Sequence, residues 1–388
     1  MSTLKVGGIR GVSASSDAIT VANDGTCTAN VTNNLSNRNL VINGAMQVAQ
    51  RGASSTVAEG YGSVDRFKSN NANNDEAPTQ SQVDVAAGTT PYTLGFRKAF
   101  RITNGNQTSG AGTNDRVCII YNFEGQDIAC SGWNYTSASS FITLSFWVKS
   151  SVAQNFFVAL RSRDGTEQGF ALETGSLSAD TWTKVTKAIP GNSNLTFDND
   201  NTAGLLMEWN IFRGTDKTGS MTLDTWAAFD GSVRTPDQTS TWYTTDNATF
   251  EITGVQFEVG SVATDFEHKS FRQELQSCQR YYCQTYNYGT YPGANAGGVG
   301  VVRAMAYGSS AYAGCGNFSF PVKMRTTPTC SLFSRDGTAG KINADGTLGN
   351  GSVGNVGAYC CNPARSNDNS GVGNQVSMSC HVTADAEL

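Results

Sequence analysis

A nucleophilic or general-base site in this chain has two histidines to draw on, His268 and His381. A Ser–His–Asp or Cys–His arrangement must use one of them, because the imidazole takes the nucleophile's proton. His268 precedes a helical pattern in a loop and reads as a packing or hydrogen-bonding residue. His381 follows Cys380 in a strand pattern, where successive side chains leave opposite faces, so the two cannot meet a common substrate. Cys360-Cys361 with Cys380-His381 would supply four zinc ligands, but the same alternation parts each pair, and small buried thiols fit the spacing better. Cys278 and Cys283 lie five apart and do not share a helical face. Gly349-Asn-Gly-Ser-Val-Gly354 matches G-x-G-x-x-G, yet no βαβ pattern surrounds it, and it reads as a turn. A glycosidase needs two facing carboxylates, and no motif selects two of the 32 acidic residues. These residue types point away from catalysis, and a chain that is not an enzyme is expected.

Binding chemistry has better candidates. Sugar rings lay their CH faces on aromatics while hydroxyls take hydrogen bonds from polar neighbours. Trp147, with Lys149 and Arg161, offers such a platform by strand alternation. Trp133 and Tyr135, in a Gly- and Ser-rich turn, offer a second. The alternative for Trp147 is burial between subunits. Asp198 and Asp200 place two carboxylates one residue apart, a weak calcium motif; Ala203 stands where an EF-hand loop needs Gly, and a plain polar loop is the competing reading.

The elements that position these residues are short strands. Charged residues are 15%, Gly numbers 42, and 19 Phe, 13 Tyr and 6 Trp are available for β cores. Residues 39–268 contain strand patterns at Leu40–Ile42, Val64–Lys68, Arg97–Thr103, Val117–Phe123, Ile142–Lys149, Phe156–Arg161, Thr183–Ile189, Leu205–Phe212 and Phe250–Val259, separated by turn-rich loops. That succession predicts an antiparallel sandwich. Alternation sends Ile142, Leu144, Phe146 and Val148 to one face and Trp147 and Lys149 to the other, and it places Trp209 with Leu205, Met207 and Ile211 in the core. Ser270 with Gln273 forms a capping-box signal for a helix over 270–282, with Phe271, Leu275, Cys278 and Tyr282 on one stripe. That stripe docks on its own domain or on copies of itself in a three-stranded bundle. Residues 285–388 are Gly-, Asn- and Ser-rich with strand patterns at Val299–Tyr307, Ala311–Phe320, Thr329–Phe333, Val356–Cys361 and Gln375–Thr383, a small β domain. Residues 1–38 form a leader with a hairpin signal at Asn23-Asp24-Gly25, either a frayed terminus or an attachment segment. The expected organisation is a leader (1–38), a sandwich (39–269), a connecting helix (270–284) and a C-terminal β domain (285–388).

The net charge is −5, with 27 basic residues scattered against 32 acidic ones, which argues against nucleic acid as a partner. Neither an apolar run of membrane-spanning length nor a secretory signal is visible, so no membrane insertion is expected, and synthesis in a cytosol without export by a general secretion route is. The ten cysteines are irregularly spaced, and most are expected to be buried thiols.

Asn39-Leu-Val-Ile-Asn-Gly-Ala-Met-Gln-Val-Ala-Gln-Arg-Gly52, then Val64-Asp-Arg-Phe67, resembles the opening of a domain of bacteriophage tail-fibre and virion proteins. Gly254–His268, running into Glu274-Leu275 and Cys278–Tyr282, resembles that domain's closing strand and exit helix. Phe320–Pro328 and Ala384–Leu388 resemble the ending of the same proteins, and the leader resembles the N-terminal segments of phage fibres. The central domain of that family is similar to jelly-roll carbohydrate-binding modules. The resemblance implies a jelly roll, a homotrimeric tail fibre or similar appendage joined to other virion proteins through the leader, and contact with a host cell-surface receptor, a glycan among the candidates. Related modules carry a structural calcium, which bears on Asp198 and Asp200. A head fibre and a glycan-degrading tailspike are the alternative assignments.

Overall fold

The computed structural model describes residues 6–13, 17–21, 23, 27–29, 37–306, 316–344, 347–365 and 376–388. Three leader strands, β1 (Gly8–Ile9), β2 (Ile19–Val21) and β3 (Cys27–Ala29), form one antiparallel sheet in the order β1-β2-β3. β2 and β3 pair Ile19 with Ala29 and Val21 with Cys27, the expected hairpin. Its Asp24-Gly25 turn lies outside the described residues.

The body follows in chain order as β4 (Ser54–Ser55), β5 (Glu59–Gly60), β6 (Lys68–Ala72), β7 (Thr79–Asp84), β8 (Lys98–Thr103), β9 (Arg116–Glu124), β10 (Phe141–Ser150), β11 (Phe157–Ser162), β12 (Gln168–Glu173), β13 (Thr183–Pro190), β14 (Ala203–Arg213), β15 (Ala227–Ala228) and β16 (Thr249–Val259). They make two sheets. The six-stranded one runs β13-β10-β16-β8-β7-β4, and the seven-stranded one runs β15-β12-β11-β14-β9-β6-β5. This is an antiparallel sandwich of the jelly-roll kind. Ile142, Leu144, Phe146 and Val148 of β10, Val158 and Leu160 of β11, and Leu205, Met207, Trp209 and Ile211 of β14 are buried between the sheets in one core. Phe146 meets Trp209 edge-on across the layers, ring centroids 5.8 Å apart.

Two strand assignments and one turn assignment need correction. Leu40–Ile42 and Val64–Phe67 are turn and irregular chain, and the strand pattern ending at Lys68 begins there instead. Gly349–Gly354 lies in a strand and is not a turn. Two short helices, α1 (Thr90–Thr93) and α2 (Gly125–Ala129), carry no amphipathic period long enough to detect.

The closing strand β16 is shaped by Gly254. Its register against β10 shifts between Ser145 and Trp147, so two residues of β16 oppose one of β10, a β-bulge. Gly254 has φ +61°, and a Cβ there would lie 2.7 Å from the Phe96 ring.

After β16 the chain forms α3 (Phe271–Gln279), shorter than the 270–282 span expected. The Ser270–Gln273 capping box is present. Glu274 and Cys278 are the buried positions, while Phe271 is 40% exposed and packs edge-on against Tyr288. The apolar stripe is therefore rotated. Glu274 is drawn inward because its carboxylate accepts the Asn43 backbone N–H at 2.5 Å. Tyr282 is not helical; it opens β17 (Tyr282–Gln284), and its ring stacks under Arg51, 3.8 Å from the guanidinium carbon.

The C-terminal domain adds β18 (Val302–Ala306), β19 (Phe318–Ser319), β20 (Thr329–Phe333), β21 (Lys341–Ala344), β22 (Thr347–Gly354), β23 (Cys360–Arg365) and β24 (Val376–Asp385). Of these, β24 pairs with β17, β18, β20 and β21, so it is the organising strand. Cys283, Met324, Ile342, Cys361, Met378, Cys380 and Val382 fill a second core. Residues 311–315 of the Ala311–Phe320 pattern, and Tyr307, fall outside the described residues. Among the described residues no helix is long and apolar enough to cross a membrane.

The two cores are joined by a buried ionic hub. Arg66 is 1% exposed, pairs with Glu387, and stacks over Tyr281 at 3.4 Å. Arg51 reaches Asp385 at 3.0 Å, Glu387 at 3.3 Å and Asp65 at 3.7 Å. Glu124 takes both Arg280 (2.7 Å) and the Tyr281 hydroxyl. Arg325 donates to the Ala386 and Glu387 carbonyls and to the Asn201 carbonyl. Taking this many charges out of water is offset only because each finds a partner.

Candidate functional site

The outer face of the seven-stranded sheet carries a groove of about 690 Å³. Register builds its floor. Ala159 lies opposite Ala171 on one side and Glu208 on the other; Arg161 lies opposite Gly169 and Leu206. Glu208 is opposite Ile120, Leu206 is opposite Asn122, and Ile120 is opposite Lys68. These residues share one face because strand side chains alternate, and their inward neighbours Val158, Leu205, Met207, Trp209, Ile119 and Tyr121 are the core. Small side chains at Ala159, Gly169 and Ala171 set the groove's depth. The long connection after β14 makes its wall, through Met221, Ala227, Ala228, Phe229, Val233 and Arg234, and Leu388 closes one end.

Charge is dense here. Lys68 pairs with Glu59 at 3.0 Å, and Arg213 pairs with Glu208 at 2.6 Å. Arg161 pairs with Glu167 while its guanidinium carbon lies 3.7 Å from the Phe229 ring centroid. The Lys68 ammonium holds the Glu59 carboxyl below the usual carboxylate range. Leu388 offers its carbonyl to the Tyr61 hydroxyl at 2.9 Å and to the Asn122 amide at 3.2 Å. A volume of this size, with apolar floor patches and ordered polar groups, suits a small oligosaccharide or a comparable polar ligand.

The structure separates the residues expected to form the binding platform. Trp147 and Lys149 stand on the outer face of the six-stranded sheet, whereas Arg161 is on the other sheet, so the three cannot share one ligand. Trp147 is half-buried against the small cluster of Ala45, Val85, Phe96 and Ala99, and Lys149 bridges to Glu251 at 3.0 Å. Trp133 is 3% exposed and packs with Tyr135 and Phe197 in the sandwich core, which leaves it no free face. Asp200 accepts from the Thr202 backbone N–H (2.9 Å) and hydroxyl (2.8 Å), and the Asp198 backbone N–H donates to Asp164 at 3.0 Å. Among the described residues no group of three or more His, Cys, Asp or Glu side chains is arranged to hold a metal ion.

His268 contacts the Leu94 carbonyl at 2.9 Å and packs between Phe96 and Phe266. His381 is fully buried, lies flat on Tyr286 at 3.8 Å, and has its pKa lowered to about 4 by burial. Neither imidazole faces the groove.

Sequence reasoning missed most of the groove. Alternation did single out Arg161, and the same alternation in β14 turns Leu206 and Glu208 away from Trp209. The wall residues Phe229 and Arg234 carry no periodic signal, because they belong to an irregular connection.

No family model and no curated protein matches the chain. Among solved structures, it aligns with the enzymatically active domain of bacteriophage CBA120 tailspike protein 4 at 11% identity and a TM-score of 0.29, over 57% of this chain and 21% of that one. It aligns with a putative sugar binding protein from Bacteroides thetaiotaomicron VPI-5482 at 11% identity and a TM-score of 0.30, over 57% and 100% of the two chains. A family 30 carbohydrate binding module aligns at 11% identity and a TM-score of 0.25, over 58% and 89%. Likeness at this level assigns no activity to this chain.

Proposed function

We propose that this chain is a non-catalytic saccharide-binding subunit of a bacteriophage virion appendage, a homotrimeric tail fibre that contacts a host-surface glycan. The observation that carries the binding role is the groove: a floor spanning several strands of one sheet, small residues at its centre, and polar side chains fixed by ion pairs along its sides. Preorganised polar groups lower the ordering cost of binding. The tail-fibre assignment draws on the motifs at Asn39–Gly52, Val64–Phe67 and Gly254–His268, with the leader as the segment that joins other virion proteins.

Two features favour binding over hydrolysis. A glycosidic general acid must hold its proton near neutral pH, and burial or a like charge normally raises its pKa. In the groove Glu59 is pushed the opposite way by Lys68, and Glu208 is committed to Arg213.

The test is calorimetric titration with host-surface oligosaccharides alongside analysis of the recovered sugars. Wild-type protein is expected to bind and return them uncut. Ala159→Trp, which fills the floor from an outward position, is expected to weaken binding at least tenfold with an unchanged melting temperature. Shortened oligosaccharides would replace this reading with a glycan-degrading one, and unchanged binding by the filled variant would remove the groove from it.

A further inference from the structure

The groove contains more positive charge than its own acids neutralise. Glu59, Glu208 and Glu167 are taken up by Lys68, Arg213 and Arg161, and Asp230 accepts from the Ser232 N–H and hydroxyl. Arg116 and Arg234 also line it, and neither has a carboxylate within ion-pair distance among the described residues. The Nε of each is buried and meets no acceptor. Beyond these two arginines lies a smaller chamber of about 100 Å³, which they share with Arg213, Lys217 and Asp115. Asp115 is the chamber's acid, and it already accepts the Gly112 N–H at 2.6 Å.

A guanidinium keeps its charge in any protein environment, so a half-buried one without a counter-ion is costly. Burial first, and then the neighbouring Arg213 and Arg161, disfavour the charge on Arg234, and Glu208, already paired with Arg213, offsets this only in part. An anion entering from the groove would relieve both effects. A planar carboxylate suits the fork of guanidinium donors, and a neutral sugar hydroxyl would leave the charge uncompensated.

We infer that the groove takes an acidic saccharide, a chain containing uronic acid, with one carboxylate seated at Arg116 and Arg234 where the groove meets the smaller chamber. This rests on the reading of the groove as a saccharide site. Recognition is by charge at that end and by contact with the floor elsewhere.

The experiment titrates the full chain with an oligogalacturonate tetramer, the neutral galactan tetramer, a sulfated galactan tetramer and oligothymidylate of similar length. The oligogalacturonate is expected to bind at least tenfold more tightly than the neutral tetramer at low salt, with the margin shrinking as salt rises. Arg116→Gln and Arg234→Gln are each expected to shrink the ratio of acidic to neutral affinity by most of that margin, whatever they do to neutral binding itself; Arg234→Lys, which retains the charge, is expected to keep part of it. Melting temperatures identify any variant that fails to fold, and for such a position the lysine variant supplies the comparison. Neutral binding equal to or tighter than acidic binding overturns the inference and leaves the saccharide groove standing. A stronger response to the sulfated tetramer overturns the carboxylate assignment, and oligothymidylate competing as well as the uronate overturns the saccharide one. Absence of binding by all three sugars removes both readings.

Discussion

The two histidines show how one residue type acquires different roles from its surroundings. His268 keeps an edge at the surface beside the Leu94 carbonyl, while His381 is sealed against Tyr286 with its pKa lowered to about 4. An unfolded histidine titrates near 6.5, so between about pH 6.5 and 4 the unfolded chain binds a proton that the folded one refuses. The contribution of His381 is fully present above pH 6.5 and is lost as the pH falls toward 4, on the order of 3 kcal/mol at most. Asp65 and Asp127 act with the opposite sign, since burial raises each to about 6 and their folded forms bind the extra proton. The test therefore compares variants. His381→Gln is expected to flatten the acid limb of a urea-midpoint profile between pH 6.5 and 4 relative to wild type; parallel profiles would show that the ring carries no such linkage. At this scale the sequence was readable where alternation fixed a face, as at Trp209 and Arg161. It was not readable for Trp133, whose burial depends on the distant Phe197, nor for Arg116 and Arg234, whose lack of an ion-paired carboxylate among the described residues is a property of the assembled groove.

Among elements, the strands were the most legible, because a period of two with turn residues at each end leaves little ambiguity. β10, β14 and β16 fall within two residues of their sequence patterns. α3 was legible at its start, where the capping box is local, and not at its end. Tyr281 and Tyr282 leave the helical period to stack on Arg66 and Arg51, partners supplied from far earlier in the chain. The sequence motifs themselves converge on that hub. Asn39 accepts from the backbone N–H groups of Val41 and Phe257, Asn43 donates to the Val48 and Asp65 carbonyls, and Gln50 donates to the Tyr282 carbonyl. The motifs that stand out in the sequence thus hold elements together, and the groove that would bind a ligand is built, Arg161 apart, from residues outside them. Glu387→Gln is expected to cost about 3–5 kcal/mol in chemical unfolding, since it strands the Arg66 charge inside the protein. Joining it to Arg66→Met is expected to restore at least half of the loss; a strictly additive double variant would mean the two residues are not coupled.

For the whole molecule, the sandwich and the C-terminal domain are packed together through this hub. The surface left on α3 includes Phe271, exposed and packed edge-on against the exposed Tyr288. Under the trimeric reading this aromatic pair is a candidate contact between subunits. Light scattering is expected to return three times the 41.1 kDa chain mass, and a single-chain mass would remove the trimer. The ionic hub also has a consequence for synthesis. Arg66 meets Glu387 across 321 residues, so a ribosome must add all of that intervening chain before the cation finds its acid. At roughly 5–20 residues per second, the sandwich waits tens of seconds with its base unsealed, open to chaperones and proteases. A chain interrupted before Glu387 keeps the Arg66 charge without that partner.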